Sequence, residues 1–267
     1  MEIKSSLIIS TYNWPEALNL VLLSVKDQYI LPKEVIIADD GSGDATKELI
    51  DSFKQDFPVP LIHVWHEDKG FRLAEIRNKA ISSVTSDYVI QVDGDTVLHK
   101  HFINDHLRAA EKGFFISGSR VLVDKIGTEN AQKNFKINFH FLSKNIKNRL
   151  NTLRIPFLSP YFEKKTYNLE KASSTVRGCN MSFWLNDLKQ TNGYCVEMTG
   201  WGFEDWELSA RLINSGLGKK RIKFGAILFH QYHELHEKSG ININEELYNI
   251  TIREKLIICK NGIQKLE

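Results

Sequence analysis

The sequence predicts an α/β domain with a mostly parallel sheet flanked by helices, and three observations predict it. Short apolar, β-branched runs alternate with helix-periodic segments over residues 1–125. Each run ends in a polar loop of the kind that closes a strand at a sheet edge. The 267 residues are 42% hydrophobic and 25% charged, enough for a full core without disulfide or metal staples.

Ser6 to Ser10 is a buried strand by its apolar, β-branched character. Pro15 suits a first helical turn, and Leu18, Val21, Leu22 and Val25 recur at helical spacing. Glu34 to Ala38 is the second strand, ending in Asp39-Asp40-Gly41-Ser42-Gly43-Asp44, which is turn chemistry with N-cap candidates. Ala45 to Phe53 is a helix, Leu61 to Trp65 a strand, and Leu73 to Ser82 a helix. Tyr88 to Val92 is the fourth strand, followed by Asp93-Gly94-Asp95. A helix from His101 to Glu111 and a strand from Phe114 to Val123 complete the series. Right-handed crossovers put all C-terminal strand ends on one edge, where ligands of such sheets bind. Thr11-Tyr12-Asn13, Asp39-Asp40 and Asp93-Gly94-Asp95 therefore converge on one crevice.

Residues 126–176 read as an insertion or lid. Within it, residues 133–165 hold eight basic residues against one acid, Glu163, interleaved with Phe135, Phe139, Phe141, Leu142, Leu150, Phe157, Tyr161 and Phe162. A lid with a solvated face is the preferred reading, and a peripheral membrane contact is its rival. Residues 177–267 contain a polar, glycine-marked stretch from Arg177 to Glu207, a strand-like Lys223 to Phe229 and a helical end.

The net charge of +2 gives no argument for nucleic acid binding. Cys179, Cys195 and Cys259 are neither a disulfide framework nor a zinc spacing, so a reducing cytoplasm is expected. Met1 to Ser6 carries no apolar signal region, and Leu18 to Leu23 is far too short to span a bilayer.

Two carboxylates around Gly94 at a strand end make a hard-oxygen site suited to Mg²⁺ or Mn²⁺. Asp40 can accept from a ribose or base, although capping by Asp39, Ser42 or Asp44 is the plainer use of that turn. Arg77, among Ile76, Ala80 and Ile81, needs a diphosphate or an aspartate of the Asp93–Asp95 loop, unless it pairs at the surface with Glu75 or Asp87. In Trp201-Gly202-Phe203-Glu204-Asp205-Trp206-Glu207 the acids open a helix whose dipole favours them. Asp205 facing a crevice can act as a base, and Trp201 offers a flat face for a sugar ring. Glu207 is assigned to an i, i+4 pair with Arg211. His230, His233 and His236 follow a strand, where a neutral imidazole could join Asp95 on a metal.

These residues resemble a known family. Ser6 to Asn13, Asp39 to Ser42, Gly70 to Ala80 with Arg77-Asn78, and Asp93-Gly94-Asp95 are similar to the donor-binding half of family 2 glycosyltransferases. Lys69-Gly70-Phe71-Arg72 resembles the bacterial chondroitin-polymerase branch. Trp201 to Asp205 resembles the acceptor-side motif of that branch and of β-1,4-galactosyltransferases. The resemblance implies a GT-A fold: a Rossmann-like donor half over residues 1–125 and a C-terminal acceptor-binding part over 177–267. It implies an inverting, metal-dependent transferase moving Glc, Gal, GlcNAc or GalNAc from a UDP-sugar to a saccharide or lipid-linked saccharide, in bacterial capsule or lipopolysaccharide synthesis.

By position, Thr11, Tyr12 and Asp40 would line the nucleoside. Asp93 would contact the ribose and metal, with Asp95 the direct metal ligand and His230 or His233 completing the set. Arg77 would support the diphosphate or metal loop, Asp205 would be the base with Glu204 beside it, and Trp201 and Gly202 would meet the acceptor. One such domain, where the polymerases have two, implies addition of a single sugar. A nucleotidyltransferase is disfavoured because Ser10 to Trp14 lacks the glycine-rich phosphate loop. A glycoside hydrolase would need two carboxylates but no Asp39-Asp40 site, and a non-catalytic saccharide-binding protein would bind no nucleotide.

Overall fold

The computed structural model describes residues 3–234 and 240–265, so His236 lies outside the described residues. The first four strands are β1 (Ser5–Thr11), β2 (Glu34–Asp39), β3 (Leu61–Trp65) and β4 (Tyr88–Asp93), with helices α1 (Pro15–Lys26), α2 (Asp44–Lys54) and α3 (Leu73–Ser82) between them. All four strands are parallel, in the order β3-β2-β1-β4. The register pairs Thr11 with Asp39, Asp39 with Trp65 and Ser10 with Asp93, so their C-terminal ends lie level on one edge.

Both faces of this sheet are covered, which is why its strands read as continuous apolar runs. Leu7, Ile9, Val35, Ile37, Ile90 and Val92 pack on one side with Leu18, Val21 and Ile50. Ile8, Ile36, Ala38 and Val89 pack on the other with Ile76, Ala80, Leu208 and Leu212. Each fully buried aliphatic side chain contributes about 1.5–3 kcal/mol.

Beyond β4 the chain departs from the simple alternation. It continues through β5 (Thr96–Leu98), α4 (Phe102–Ala109), β6 (Phe114–Ser117), β7 (Arg120–Val123), α5 (Lys125–Lys133), β8 (Ile146–Lys147), a 3₁₀ turn (Arg149–Thr152), α6 (Ser159–Phe162), β9 (Lys164–Thr166) and α7 (Leu169–Ser173). Then follow β10 (Asn180–Trp184), α8 (Leu185–Gln190), α9 (Glu204–Asn214), β11 (Gly218–Arg221), β12 (Leu228–His230) and α10 (Ile241–Arg253). The main sheet extends as β4-β10-β6-β11-β9, and β5-β12-β7-β8 form a second, smaller sheet.

The strand expected from Phe114 to Val123 is two strands, one in each sheet. Gly118 lies at the break, where any side chain would collide with the Asn180 amide. That amide is fixed: Asn180 Nδ2 donates to the carbonyls of Ser119 (2.8 Å) and Ala226 (2.9 Å), and Oδ1 faces His106 Nε2 at 3.0 Å. His106 Nδ1 meets Ser182 Oγ at 2.8 Å, and Ser182 Oγ meets Tyr88 at 2.8 Å. With every member partnered, this buried chain ties both sheets together. The expected strand from Lys223 to Phe229 shortens to Leu228–His230, because Phe224 and Ala226 turn to positive φ. β10 and β11 were not foreseen. β10 sits in the sheet centre inside a stretch read as polar. β11 is basic, and its Lys220 is buried against Glu111 (2.7 Å) and Glu163 (3.2 Å).

Candidate functional site

The loops after β1, β2 and β4 meet along the level sheet edge. Gly94 N donates to the Ser10 carbonyl at 2.6 Å, and a Cβ at Gly94 would stand 2.8 Å from that same oxygen. The glycine between the two aspartates is therefore required by backbone packing on β1. Gly41 serves likewise with φ 98°, since a Cβ there would lie 2.6 Å from the Asp68 backbone.

On the β2 side, the turn carboxylates are engaged within the protein. Asp39 accepts from Ser42 N (2.8 Å) and meets His63 (2.8 Å), closing its own turn, and α2 starts at Gly43 without a side-chain cap. Asp40 meets His66 (2.6 Å) and accepts from Arg72 N (2.9 Å). Burial raises the Asp40 carboxyl above its usual range, opposed by His66 and Arg72. Thr11 is buried at the end of β1. Tyr12 is about half exposed and donates to Asp68 at 2.9 Å.

Arg77 is the hub. It is 1% exposed, and its guanidinium donates to Asp93 (2.9 Å), Glu204 (3.2 Å) and Ser10 Oγ (3.2 Å), with its face toward the Tyr194 ring. Of the partners expected for it, the structure places it on an aspartate of the loop. Glu75 is taken instead by Arg72 (2.9 Å) and Lys79 (2.8 Å). The neighbouring Asn78 fixes Tyr194 through two backbone bonds of 2.8 Å. One helix turn thus joins the Asp93 loop to the start of α9.

Asp205 follows Glu204 in the first turn of α9 and accepts from Gly178 N at 2.8 Å. Desolvation, then the charge of Glu204, pushes its carboxyl up to about 7, against the pull of Arg77. Glu207 is not at this site: it pairs with buried Arg211 at 2.6 Å, as expected, and also accepts from Thr251. Trp201 is partly exposed, and Gly202 has φ 93° with open space beside it. Gly200 N rests on the Phe71 carbonyl at 3.0 Å, and a cavity of about 300 Å³ opens there, lined by Phe71, Arg72, Thr199 and Gly200. A larger cavity of about 500 Å³ lies behind α3 against residues 261–263, away from these carboxylates.

Asp95 faces both histidines: its Oδ2 is 3.5 Å from His230 Nε2 and 3.4 Å from His233 Nε2. Its Oδ1 is buried with no hydrogen-bond partner. The donor atoms of Asp95, His230 and His233 lie within 4.8 Å of one another, as do those of Asp93, Cys179 and His230. A buried orphan carboxylate oxygen beside two imidazoles is a donor set that fits a divalent cation.

A profile of glycosyl transferase family 2 matches residues 6–169, more than half of the chain. The chain belongs to glycosyl transferase family 2. A second profile, the N-terminal domain of galactosyltransferase, matches residues 159–237 of this glycosyltransferase. Over 91% of its length it is 27% identical to the uncharacterized glycosyltransferase YfnE of Bacillus subtilis, covering 69% of that protein. It is 25% identical to chondroitin synthase of Escherichia coli over 91% of this chain and 37% of that one. It is also 25% identical to hyaluronan synthase of Pasteurella multocida, over 94% and 27% respectively. It therefore spans little more than a third of the chondroitin synthase and about a quarter of the hyaluronan synthase. Among solved structures, S. aureus TarS superposes with a TM-score of 0.64 at 15% identity over 93% of this chain and 39% of TarS. Residues 1–349 of TarS in complex with UDP-GlcNAc superpose at 0.59, with 16% identity over 89% and 61%. At such identity the likeness speaks for the fold, which is GT-A.

The sequence reading of this glycosyltransferase missed Gly178, Cys179 and Tyr194. Gly178 packs between Arg77 and Asp205, each 3.4 Å from its would-be Cβ, and Cys179 reaches the Asp93 side. A glycine and a small thiol immediately before the apolar run from Met181 to Trp184 were the available signal.

Proposed function

We propose that this family 2 enzyme is an inverting transferase moving a hexose or N-acetylhexosamine from a UDP-sugar to a saccharide acceptor of a bacterial surface polysaccharide. The observation that carries the reading is the Arg77 hub, which brings the Asp93–Asp95 loop and the Glu204-Asp205 turn into one crevice. The UDP-GlcNAc bound by TarS and the activities named for the chondroitin and hyaluronan synthases support the donor class.

Asp205 takes the proton of the acceptor hydroxyl while that oxygen attacks the anomeric carbon. The bond from that carbon to the diphosphate oxygen breaks on the opposite face, and UDP leaves with both electrons. No protein nucleophile takes part, so the configuration inverts. Glu204, held by Arg77, keeps a negative neighbour beside Asp205 and so keeps it basic. Asp95, His230 and His233, with Asp93 at the edge, would hold Mn²⁺ or Mg²⁺, which when bound supplies charge neutralisation for the departing diphosphate. Thr11 and Tyr12 line the nucleoside side. Asp40 acts there through the Arg72 turn that it fixes. Trp201 and Gly202 border the acceptor space.

Calorimetric titration with UDP, GDP, CDP and TDP, each with and without Mn²⁺, tests the reading. Selective, metal-dependent UDP binding that Asp95→Ala abolishes is expected, as is UDP binding by Asp205→Asn without turnover. A folded protein that binds none of these nucleotides would refute it.

A further inference from the structure

Residues 135–167 form a strap that is stitched to both sheets. β8 pairs antiparallel with β7, and β9 pairs with β11. Phe139 and Ile146 are buried in the core under the smaller sheet. Arg149 Nη1 donates to the carbonyls of Phe141 and Ser143, both at 2.7 Å, and so closes the loop between them and β8. Further on, Ile155 N donates to the Phe224 carbonyl at 3.0 Å, and Phe162 packs edge-on against the Phe224 ring. The strap is thus anchored, yet Leu142, Leu150, Phe157 and Tyr161 are 78%, 72%, 73% and 84% exposed. An isolated exposed apolar residue needs no explanation, but a run of them on an anchored segment marks a contact surface.

The charge of the same segment selects the partner. It carries seven basic residues against one acid, and Lys144, Lys147 and Lys164 project to solvent. Protein interfaces favour aromatics with arginine and are depleted in lysine. Lysine mixed with exposed aromatic and leucine side chains matches instead the headgroup zone of an anionic bilayer. The strap also borders the active crevice. Asn151 Nδ2 donates to the Arg120 carbonyl at 3.1 Å, and the Arg120 side chain faces the Cys179 thiol beside Asp93.

We propose that residues 135–167 dock this enzyme on an anionic membrane surface, with Leu142, Leu150, Phe157 and Tyr161 entering the headgroup layer and Lys144, Lys147 and Lys164 meeting lipid phosphates. The docking itself does not depend on the transferase reading. Its consequence does: a crevice held at the bilayer surface faces a saccharide acceptor carried on a lipid.

Flotation of the full chain with vesicles of phosphatidylcholine, and of phosphatidylcholine with about a third phosphatidylglycerol, tests it. Binding to the anionic vesicles alone is expected, weakened at least about tenfold near 0.5 M salt, where the Debye length shrinks to a few ångströms. Lys144→Glu with Lys147→Glu should weaken it similarly, and so should Phe157→Ser with Tyr161→Ser. These exposed substitutions should leave thermal stability and UDP titration unchanged, which separates failure of docking from failure of the donor reading. No flotation of the folded wild type, equal flotation with neutral vesicles, or unchanged binding in both double variants would overturn the proposal. So would a dimer that these substitutions break in the absence of any vesicle binding, since the face would then belong to a second copy.

Discussion

Replacing Arg77 by Met removes a buried side chain that touches both acidic loops. Its guanidinium is 1% exposed, whereas the side chains of Asp93 and Glu204 are 32% and 13% exposed. Breaking a buried ion pair by deleting one partner costs about 3–5 kcal/mol, because the remaining charge is left uncompensated. Asp93 retains access to water, so the lower end, about 3 kcal/mol, is the better figure.

A second readout is independent of stability. Arg77 opposes the upward shift of Asp205, so its loss should carry that carboxyl above 7 and move the acid limb of the rate profile to higher pH. Urea unfolding and the pH dependence of kcat/KM measure the two effects. Arg77→Lys keeps a charge but not the fork, and should fall between them. An Arg77→Met protein within about 1 kcal/mol of wild type, with its acid limb unmoved, would refute the hub.

Three further outcomes are expected. In the wild type, kcat/KM should climb tenfold per pH unit up to about 7 and then level off, because Asp205 must be deprotonated to accept the hydroxyl proton; a flat profile from acid to alkaline pH would remove it from that role. His106, held neutral by burial with its pKa lowered to about 4, should make stability full above its unfolded value of 6.5 and about 3 kcal/mol lower once pH has fallen to 4, a dependence that chemical denaturation should find missing in His106→Gln. Gly118→Ala should cost about 1–3 kcal/mol, since its Cβ meets an Asn180 amide locked by three partners, and an unchanged melting temperature would show that the sheets can part there.

The legible part of this molecule is the part where burial on both faces imposes continuous apolar strands. β1 to β4 and their helices follow from apolar runs punctuated by turn residues, to within a residue or two. Asp39 and Asp93, which end β2 and β4, were legible because they close those strands, whereas Glu204 and Asp205 open α9 and stood out only by their motif. What escaped is structure specified by polar chemistry. β11 is a strand of glycine and basic residues, held because Lys220 finds Glu111 and Glu163, and no hydropathy pattern announces such a pairing. β10 reads as the tail of a polar loop until Asn180 and Ser182 are seen to be partnered by His106 and Tyr88.

The break at Gly118 depends on the same network, for the Phe114–Val123 run has good strand chemistry throughout and is divided only by what Asn180 does from 62 residues further along. The fate of Arg77 follows the same logic. Its local sequence allowed a surface pair with Glu75. The choice was decided by Arg72 and Lys79, which occupy Glu75, and by Glu204, which arrives from 127 residues away. Long-range polar pairing therefore does two things in this enzyme. It joins the second sheet to the first, and it delivers the Glu204-Asp205 turn to a loop already fixed by β1 and β4. Because one buried guanidinium makes the second connection, the position of the base and its proton affinity should change together when that guanidinium is altered, and an altered rate profile without altered stability would mean that the two are set by separate contacts.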